Sequence, residues 1–356
     1  MELGEILVDS TKRGILASKT LDPTTAQNIA EKFAEEWDKF CLTGFTVDDD
    51  IQADLYEMYV PYLRKRNKPP KVKGVPFYRT SATGADLAQL AMAARDDKRE
   101  DSRDMQAHQA RWVQIGTAVG DIVQMNVLMM EKHYERLLGE KPSFRFERLE
   151  TGEPNFEQFS TKYVTTTYKD ETFAFGGSVD GVLIYTDEDG SETRIGLEVK
   201  SKQGSPAKTS AFSMRWADQK HQAQTTAYAM LHDLDKYMIV YVNCAHQGWN
   251  LTPEQYDKTP DVRVFGFDFT EDDKLKVLEH FAEATRCGRT GEMPLPKSSG
   301  WLFNSYKREI ALELTDEQVK TIEADIKALP KTKAYDHQRN DGRKMLDDIK
   351  KLRKLG

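Results

Sequence analysis

The sequence predicts an α/β fold, a central mixed β-sheet flanked by helices, with helical additions at both ends. Two observations predict it. Six short runs rich in β-branched and aromatic residues fall between Tyr163 and Phe269, bounded by turn-forming residues. Segments with apolar residues three and four apart stand before, among and after these runs. Strands interleaved with helices give a sheet covered by helices.

Residues 23–40 open with the cap signal Pro23-Thr24-Thr25 and carry Ile29, Phe33, Ala34 and Trp37 at helical spacing. Residues 50–63 read as a second helix, which Asn67-Lys68-Pro69-Pro70 ends. Thr83 to Ala94 is helical again. Arg111 to His133 is a longer helix that places Ile115, Val119, Ile122, Val123 and Val127 on one side. The strand runs are Tyr163–Tyr168, Phe173–Val179, Val182–Tyr185, Thr193–Val199, Lys236–Asn243 and Val262–Phe269. Asp187-Glu188-Asp189-Gly190 is a turn between the third and fourth. A helix from about Trp216 to Leu234 follows the fourth. Thr270-Glu271-Asp272-Asp273 caps another that runs to about Thr285. Leu314–Leu329 and Arg343–Leu355 are helical. The chain then divides into a helical N-terminal segment with a basic linker (1–74), a central domain (75–300) and a helical, basic C-terminal region (301–356).

At 356 residues the chain can bury one large core or two moderate ones. A hydrophobic content of 39% and a charged content of 31% belong to an ordinary globular protein and exclude a disordered one. No apolar run approaches the length of a membrane span. The acidic start Met1-Glu2-Leu3-Gly4-Glu5 lacks a signal-peptide layout. A cytoplasmic protein without a membrane partner is expected. Cys41, Cys244 and Cys287 are odd in number and far apart, as free thiols in a reducing compartment would be. No phosphate-binding G-x-x-x-x-G-K-[ST] loop occurs, so ATP is not expected as a cofactor.

The chemistry concentrates between Gly177 and Lys200. Asp180 ends one apolar run; Glu198 and Lys200 stand two apart in the next. Strand side chains alternate between faces, so Glu198 and Lys200 point the same way, and Asp180 is within reach from the neighbouring strand. Two carboxylates and an ammonium at the end of a sheet can hold a divalent metal and a phosphate, which suits phosphodiester hydrolysis. The structural alternatives are a turn at Asp180-Gly181 and an exposed strand face at Glu198 and Lys200. Further on, Gln224 and Tyr228 stand at i and i+4, on one helix face.

This pattern resembles the PD-(D/E)xK nuclease superfamily, with Asp180 as its first acid and Glu198-Val199-Lys200 as its E-x-K element. Val179 replaces the usual proline. Gln224-Thr225-Thr226-Ala227-Tyr228 is similar to the Q-x-x-x-Y signature of the RecB-like branch. His221-Gln222-Ala223-Gln224 resembles the Q-x-Q version of the lambda-exonuclease-type (YqaJ) proteins. The resemblance covers roughly residues 75–300 and implies a restriction-endonuclease-like core. It implies a DNA nuclease, more an exonuclease of the phage recombination or end-processing kind than a structure- or sequence-specific endonuclease, in the host cytoplasm if phage-encoded; the alternative of another class is a catalytically idle DNA-binding module of the same fold. Its catalytic residues would be Asp180, Glu198, Lys200, Gln224 and Tyr228. Mg²⁺ or Mn²⁺ would be held by Asp180, Glu198 and the Val199 carbonyl, since hard oxygen ligands suit those ions. The family's G-x-x-x-H element reads here Gly116-Thr117-Ala118-Val119-Gly120, with Gly120 at the His position and Asp121 or Gln124 as a substitute metal ligand. Iron–sulfur members carry four cysteines, mostly after the core; the tail here has none, so no cluster is expected. A single-strand annealing or recombination protein is a conceivable partner, and an oligomer is open.

A net charge of −7 does not exclude a DNA partner, because distribution matters more than the sum. Arg64, Lys65, Arg66, Lys68, Lys71, Lys73 and Arg79 follow one another without an acid, and from Lys331 onward nine basic residues face four aspartates. Lys68, Lys71 and Lys73 are candidate phosphate contacts in the linker; Lys202, Lys208, Arg215 and His221 are candidates beside the cleft. Either basic stretch also suits a solvated surface.

Overall fold

The computed structural model describes residues 25–65, 68–69, 72–95, 106–245 and 248–355. Lys71, with Arg66, Asn67, Pro70 and the cap residues Pro23 and Thr24, lies outside them. The strands are β1 (Phe77–Arg79), β2 (Phe144–Phe146), β3 (Lys162–Tyr168), β4 (Glu171–Gly177), β5 (Gly181–Thr186), β6 (Glu192–Lys202), β7 (Lys236–Asn243) and β8 (Val262–Asp268). The helices are α1 (Ala26–Leu42), α2 (Asp49–Arg64), α3 (Leu87–Ala94), α4 (Ala107–Leu138), α5 (Gln219–His232), α6 (Pro253–Lys258), α7 (Glu271–Thr290), α8 (Ser298–Trp301), α9 (Lys307–Glu313), α10 (Asp316–Ala328) and α11 (Asp336–Leu355).

The fold is mixed α/β, with its strands divided between two mixed sheets. One has the order β1-β4-β3, the other β2-β5-β6-β7-β8. Only β1–β4 and β6–β7 pair in parallel. β4 and β5, adjacent in sequence, therefore belong to different sheets. Gly177 marks the crossing: a Cβ there would meet Thr80 Oγ1 at 2.5 Å, so only glycine fits.

Strand alternation gives the large sheet two distinct faces. Ile195, Leu197 and Val199 of β6, with Met238 and Val240 of β7, enter the main core beneath α1, α2 and α4. The intervening Glu198 and Lys200 face α5. α1 caps the far edge: Ala26 N–H donates to Asp268 Oδ2 at 3.1 Å, and Gly266 N–H to Gln27 Oε1 at 2.9 Å. The smaller sheet packs Tyr78, Phe173 and Phe175 against Phe281 of α7 and Leu90 of α3. The C-terminal helices close on α3, where Ala88 and Met92 meet Trp301, Ile310 and Ile349.

On α4 the expectation of one apolar side needs correction. Val119, Val123 and Val127 are buried, but Ile115 and Ile122 are exposed. The i, i+4 stripe of the three valines faces the sheet, and Ile122 falls on its flank. α4 is also long and apolar enough by composition to cross a membrane, which the sequence reading did not register. Its C-terminal half nevertheless packs Met130 and Tyr134 into the protein core.

Candidate active site

Between β4 and β5 the chain passes from one sheet to the other through Ser178-Val179-Asp180. Val179 is buried with Val182, Tyr228 and Tyr237 and pins the crossing. β5 pairs with β6 only as far as Gly181 opposite Leu197. Beyond that point Asp180 stands in for the missing strand: its Oδ2 accepts the Val199 N–H at 2.7 Å. An extended residue directs its N–H and C=O to the same side, so the Val199 carbonyl faces the edge where Asp180 sits.

Glu198 is 2% exposed. Its Oε1 accepts from Lys200 Nζ at 2.5 Å and from Gln224 Nε2 at 2.8 Å. Lys200 Nζ also donates to Gln224 Oε1 at 3.1 Å, closing a ring of three side chains. Glu198 Oε2 is buried and has no partner. An unpaired buried acceptor costs roughly 1–3 kcal/mol, so this oxygen is free to accept a further partner. Burial raises the pKa of both Asp180 and Glu198; the Asp180 charge adds to the rise at Glu198, while the Val199 N–H and the Lys200 ammonium oppose it at Asp180. A pair that resists ionising together gains most from a bound cation.

α5 delivers Gln224 and Tyr228 to the same face. Asp218 caps it by accepting the Lys220 N–H at 2.9 Å. Burial raises the pKa of the Tyr228 hydroxyl, and the neighbouring Thr80 and Gln224 side chains oppose the rise. Thr80 in turn donates to Gly176 O at 3.2 Å, which ties the site to the small sheet. His221 Nδ1 lies 2.8 Å from Tyr241 Oη. Burial and the Lys200 charge push its pKa down to about 4, so near neutral pH it presents an uncharged ring. Lys202 Nζ sits 4.8 Å above the Tyr241 ring, and burial lowers its pKa. Lys208 and Arg215 are exposed on the loop between β6 and α5; Lys68 and Lys73 are exposed in the linker ahead of β1.

Two participants, Glu157 and Tyr237, were not found in the sequence, and a third, Gln124, was offered there only as a substitute metal ligand beside Asp121. Gln124 of α4 donates to Asp180 O at 2.8 Å and to Glu157 Oε1 at 3.3 Å. Glu157 adopts φ 48°, held there by its N–H bond to Val179 O at 2.7 Å. Its carboxyl is pushed up to about 7, first by burial and then by the charges of Asp180 and Asp121, against the Gln124 bond. Tyr237, fully buried on β7, has a hydroxyl without a partner and packs against Tyr228. Glu157 lies in a turn-rich loop where it reads as one more solvated acid; only pairing to Val179, 22 residues on, aims it at the site. Asp121 is exposed on α4 and is joined by no hydrogen bond to Asp180 or Glu198 among the described residues. Gln124, one turn later, is the α4 residue that hydrogen-bonds Asp180, while the Asp121 charge reaches Glu157.

Among the described residues no three His, Cys, Asp or Glu side chains stand close enough to hold a metal by themselves. Asp180, the free Glu198 Oε2 and the Val199 carbonyl nevertheless form a hard-oxygen set. Mg²⁺ takes few protein ligands and retains several waters, so these residues fit it.

Neither a protein-family model nor a curated protein matches the chain. Solved structures do at low identity. The structure of SSO0001 matches with a TM-score of 0.38 and 11% identity, over 74% of this chain and 100% of that one. An alkaline exonuclease from Laribacter hongkongensis matches with a TM-score of 0.32 and 10% identity, over 61% and 89%. A phage-related exonuclease from Haemophilus somnus 129PT matches with a TM-score of 0.25 and 12% identity, over 61% and 96%.

Proposed function

We propose that this chain is a Mg²⁺- or Mn²⁺-dependent deoxyribonuclease, an exonuclease acting in DNA end processing or phage-type recombination. The observation that carries the reading is the buried Glu198–Lys200–Gln224 ring beside Asp180, with one carboxylate oxygen left unpartnered. Asp180, Glu198 and the Val199 carbonyl would hold the cation, which when bound lowers the pKa of a coordinated water and neutralises phosphate charge. Lys200 orients the attacking water or meets the charge developing on the phosphate. Gln224 holds Lys200 and Glu198 in register, and Tyr228 fixes Gln224 from behind. Neither ATP nor an iron–sulfur cluster enters this chemistry, and a single-strand annealing or other recombination protein is the partner class such an exonuclease would serve.

The test is incubation with end-labelled linear DNA and closed circular DNA in Mg²⁺, Mn²⁺ or EDTA, without ATP. Loss of linear substrate from its ends in either metal, and none in EDTA, is the expected result. Cleavage of closed circles would move the reading to an endonuclease. Equal cleavage in excess EDTA would end it.

A further inference from the structure

The loop between β6 and α5, residues 203–218, is bracketed by Lys200 and Gln224 and takes no part in the ring they form. It is built as a rigid shelf. Asn243 Nδ2 donates to Ser205 O and Pro206 O, both at 3.1 Å, and to Thr209 Oγ1 at 2.9 Å. Arg263 donates to Met214 O at 3.3 Å, and Asp218 N–H to Tyr241 Oη at 3.0 Å. Met214 and Ala217 are buried against Ile239, Tyr241 and Phe265.

The two largest apolar residues of this shelf point the other way. Phe212 is 82% exposed and Trp216 58% exposed. A loop that had only to be stable would bury its aromatics before its alanine, since each buries far more apolar area. Cations accompany them. Arg215 lies 5.6 Å from the Phe212 ring, Lys208 is exposed on the same loop, and neither has a carboxylate within 4 Å among the described residues. On a chain of net charge −7, two unneutralised cations beside two exposed rings call for an anion that carries flat apolar faces.

We propose that this shelf binds single-stranded DNA, with unpaired bases stacked on Phe212 and Trp216 and the backbone phosphates met by Lys208 and Arg215. Bases and aromatic rings stack without regard to sequence, and phosphates supply the salt-sensitive part of the affinity. The inference rests on the nuclease reading for its purpose: it assigns the substrate a frayed or single-stranded segment beside the scissile phosphate.

Binding is measured by anisotropy in EDTA, so that no cleavage occurs. The probes are a labelled single strand of about 20 nucleotides, the same strand with abasic positions, and a blunt duplex. Phe212→Ala with Trp216→Ala should weaken the intact strand by about 30-fold or more. The abasic strand should bind the unchanged protein as weakly, and the double variant should lose nothing further on it. Phe212→Tyr with Trp216→Phe should restore binding. Unchanged affinity in the alanine variant overturns the proposal, as does equal weakening on intact, abasic and duplex DNA. So does association of the unchanged protein with anionic vesicles, or with itself, through these rings when the single strand does not bind. Cleavage by the unchanged protein and by Asp180→Ala in Mg²⁺ is scored separately. No metal-dependent cleavage by the unchanged protein overturns the nuclease reading alone, and a failed stacking signature beside an active unchanged protein and an inert Asp180→Ala overturns the shelf alone.

Discussion

At the scale of single residues, the site is a cluster of acids restrained by neutral amides. Asp180→Ala and Glu198→Ala should each lower metal-dependent cleavage about 10³-fold or more, since either change removes a cation ligand. Near-normal turnover in either variant would place the site elsewhere. Glu157 makes a prediction of its own about pH. Its folded pKa of about 7 stands above its ordinary value of 4.5, so the folded protein binds its proton more tightly than the unfolded chain does. Stability from this group is present below pH 4.5 and lost as pH rises through 7. Thermal melts of the metal-free protein should therefore show Glu157→Gln more stable than wild type at pH 8, by on the order of 1–3 kcal/mol, with the difference vanishing near pH 4.5. His232 works in the opposite sense: burial holds its pKa down to about 3, so its contribution is lost as pH falls below 6.5. Comparing variant with wild type at each pH removes that background. A constant difference across pH would show that the Glu157 carboxyl is not held up by its surroundings.

At the scale of elements, legibility followed periodicity. Lys236–Asn243 is read to the residue because a continuous apolar run of β-branched and aromatic residues, too short for a helix and bounded by polar turns, admits one interpretation. β1 and β2, three residues each, carry too few positions for any period and were missed. The break between Gly177 and Asp180 was read as the end of a strand, and it is; that it also separates two sheets depends on partners 100 residues upstream. The convergence of Asp180, Glu198, Lys200, Gln224 and Tyr228 was visible because it needs only two local rules, alternation along β6 and one helical turn along α5. Glu157 reaches the same place by long-range pairing to Val179, for which no local signal exists, whereas Gln124 stands one turn past the G-x-x-x-H-like element that pointed to it. α4 offers a further test. Gly120 lies in its interior, and a Cβ there would meet nothing within 4 Å. Gly120→Ala should stabilise the protein by about 0.5–1 kcal/mol through the lost entropy of the unfolded chain. A lower melting temperature would mean that this turn of α4 needs glycine for contact with a substrate or a partner.

At the scale of the whole molecule, the proposed function raises the question of how an acidic chain would hold a polyanion. Many of its charges neutralise each other within the fold. In the C-terminal region Lys350 pairs with Glu323 at 2.8 Å, Arg353 with Asp316 at 2.6 Å, and Arg339 with Asp336. The basic excess read there from the sequence is partly spent on holding α9, α10 and α11 together. The linker differs. Lys68 and Lys73 are exposed and have no ion pair among the described residues. The linker leads into β1 and so to Thr80, which touches Tyr228, and this places it on an approach to the site. Each phosphate contact releases condensed counterions, giving log K against log salt a slope of about 0.7 per contact on single strands and 0.9 on duplex. Replacing Lys68, Lys71 and Lys73 with Ala should therefore lower the slope by about 2 units and weaken all sequences alike, because phosphates carry no base identity. Binding in Ca²⁺ across several salt concentrations measures both quantities. The triple variant leaves the cleft cations Lys202, Lys208 and Arg215 in place, so an unchanged slope with unchanged affinity would remove the linker from the DNA path and leave the cleft as the sole electrostatic site.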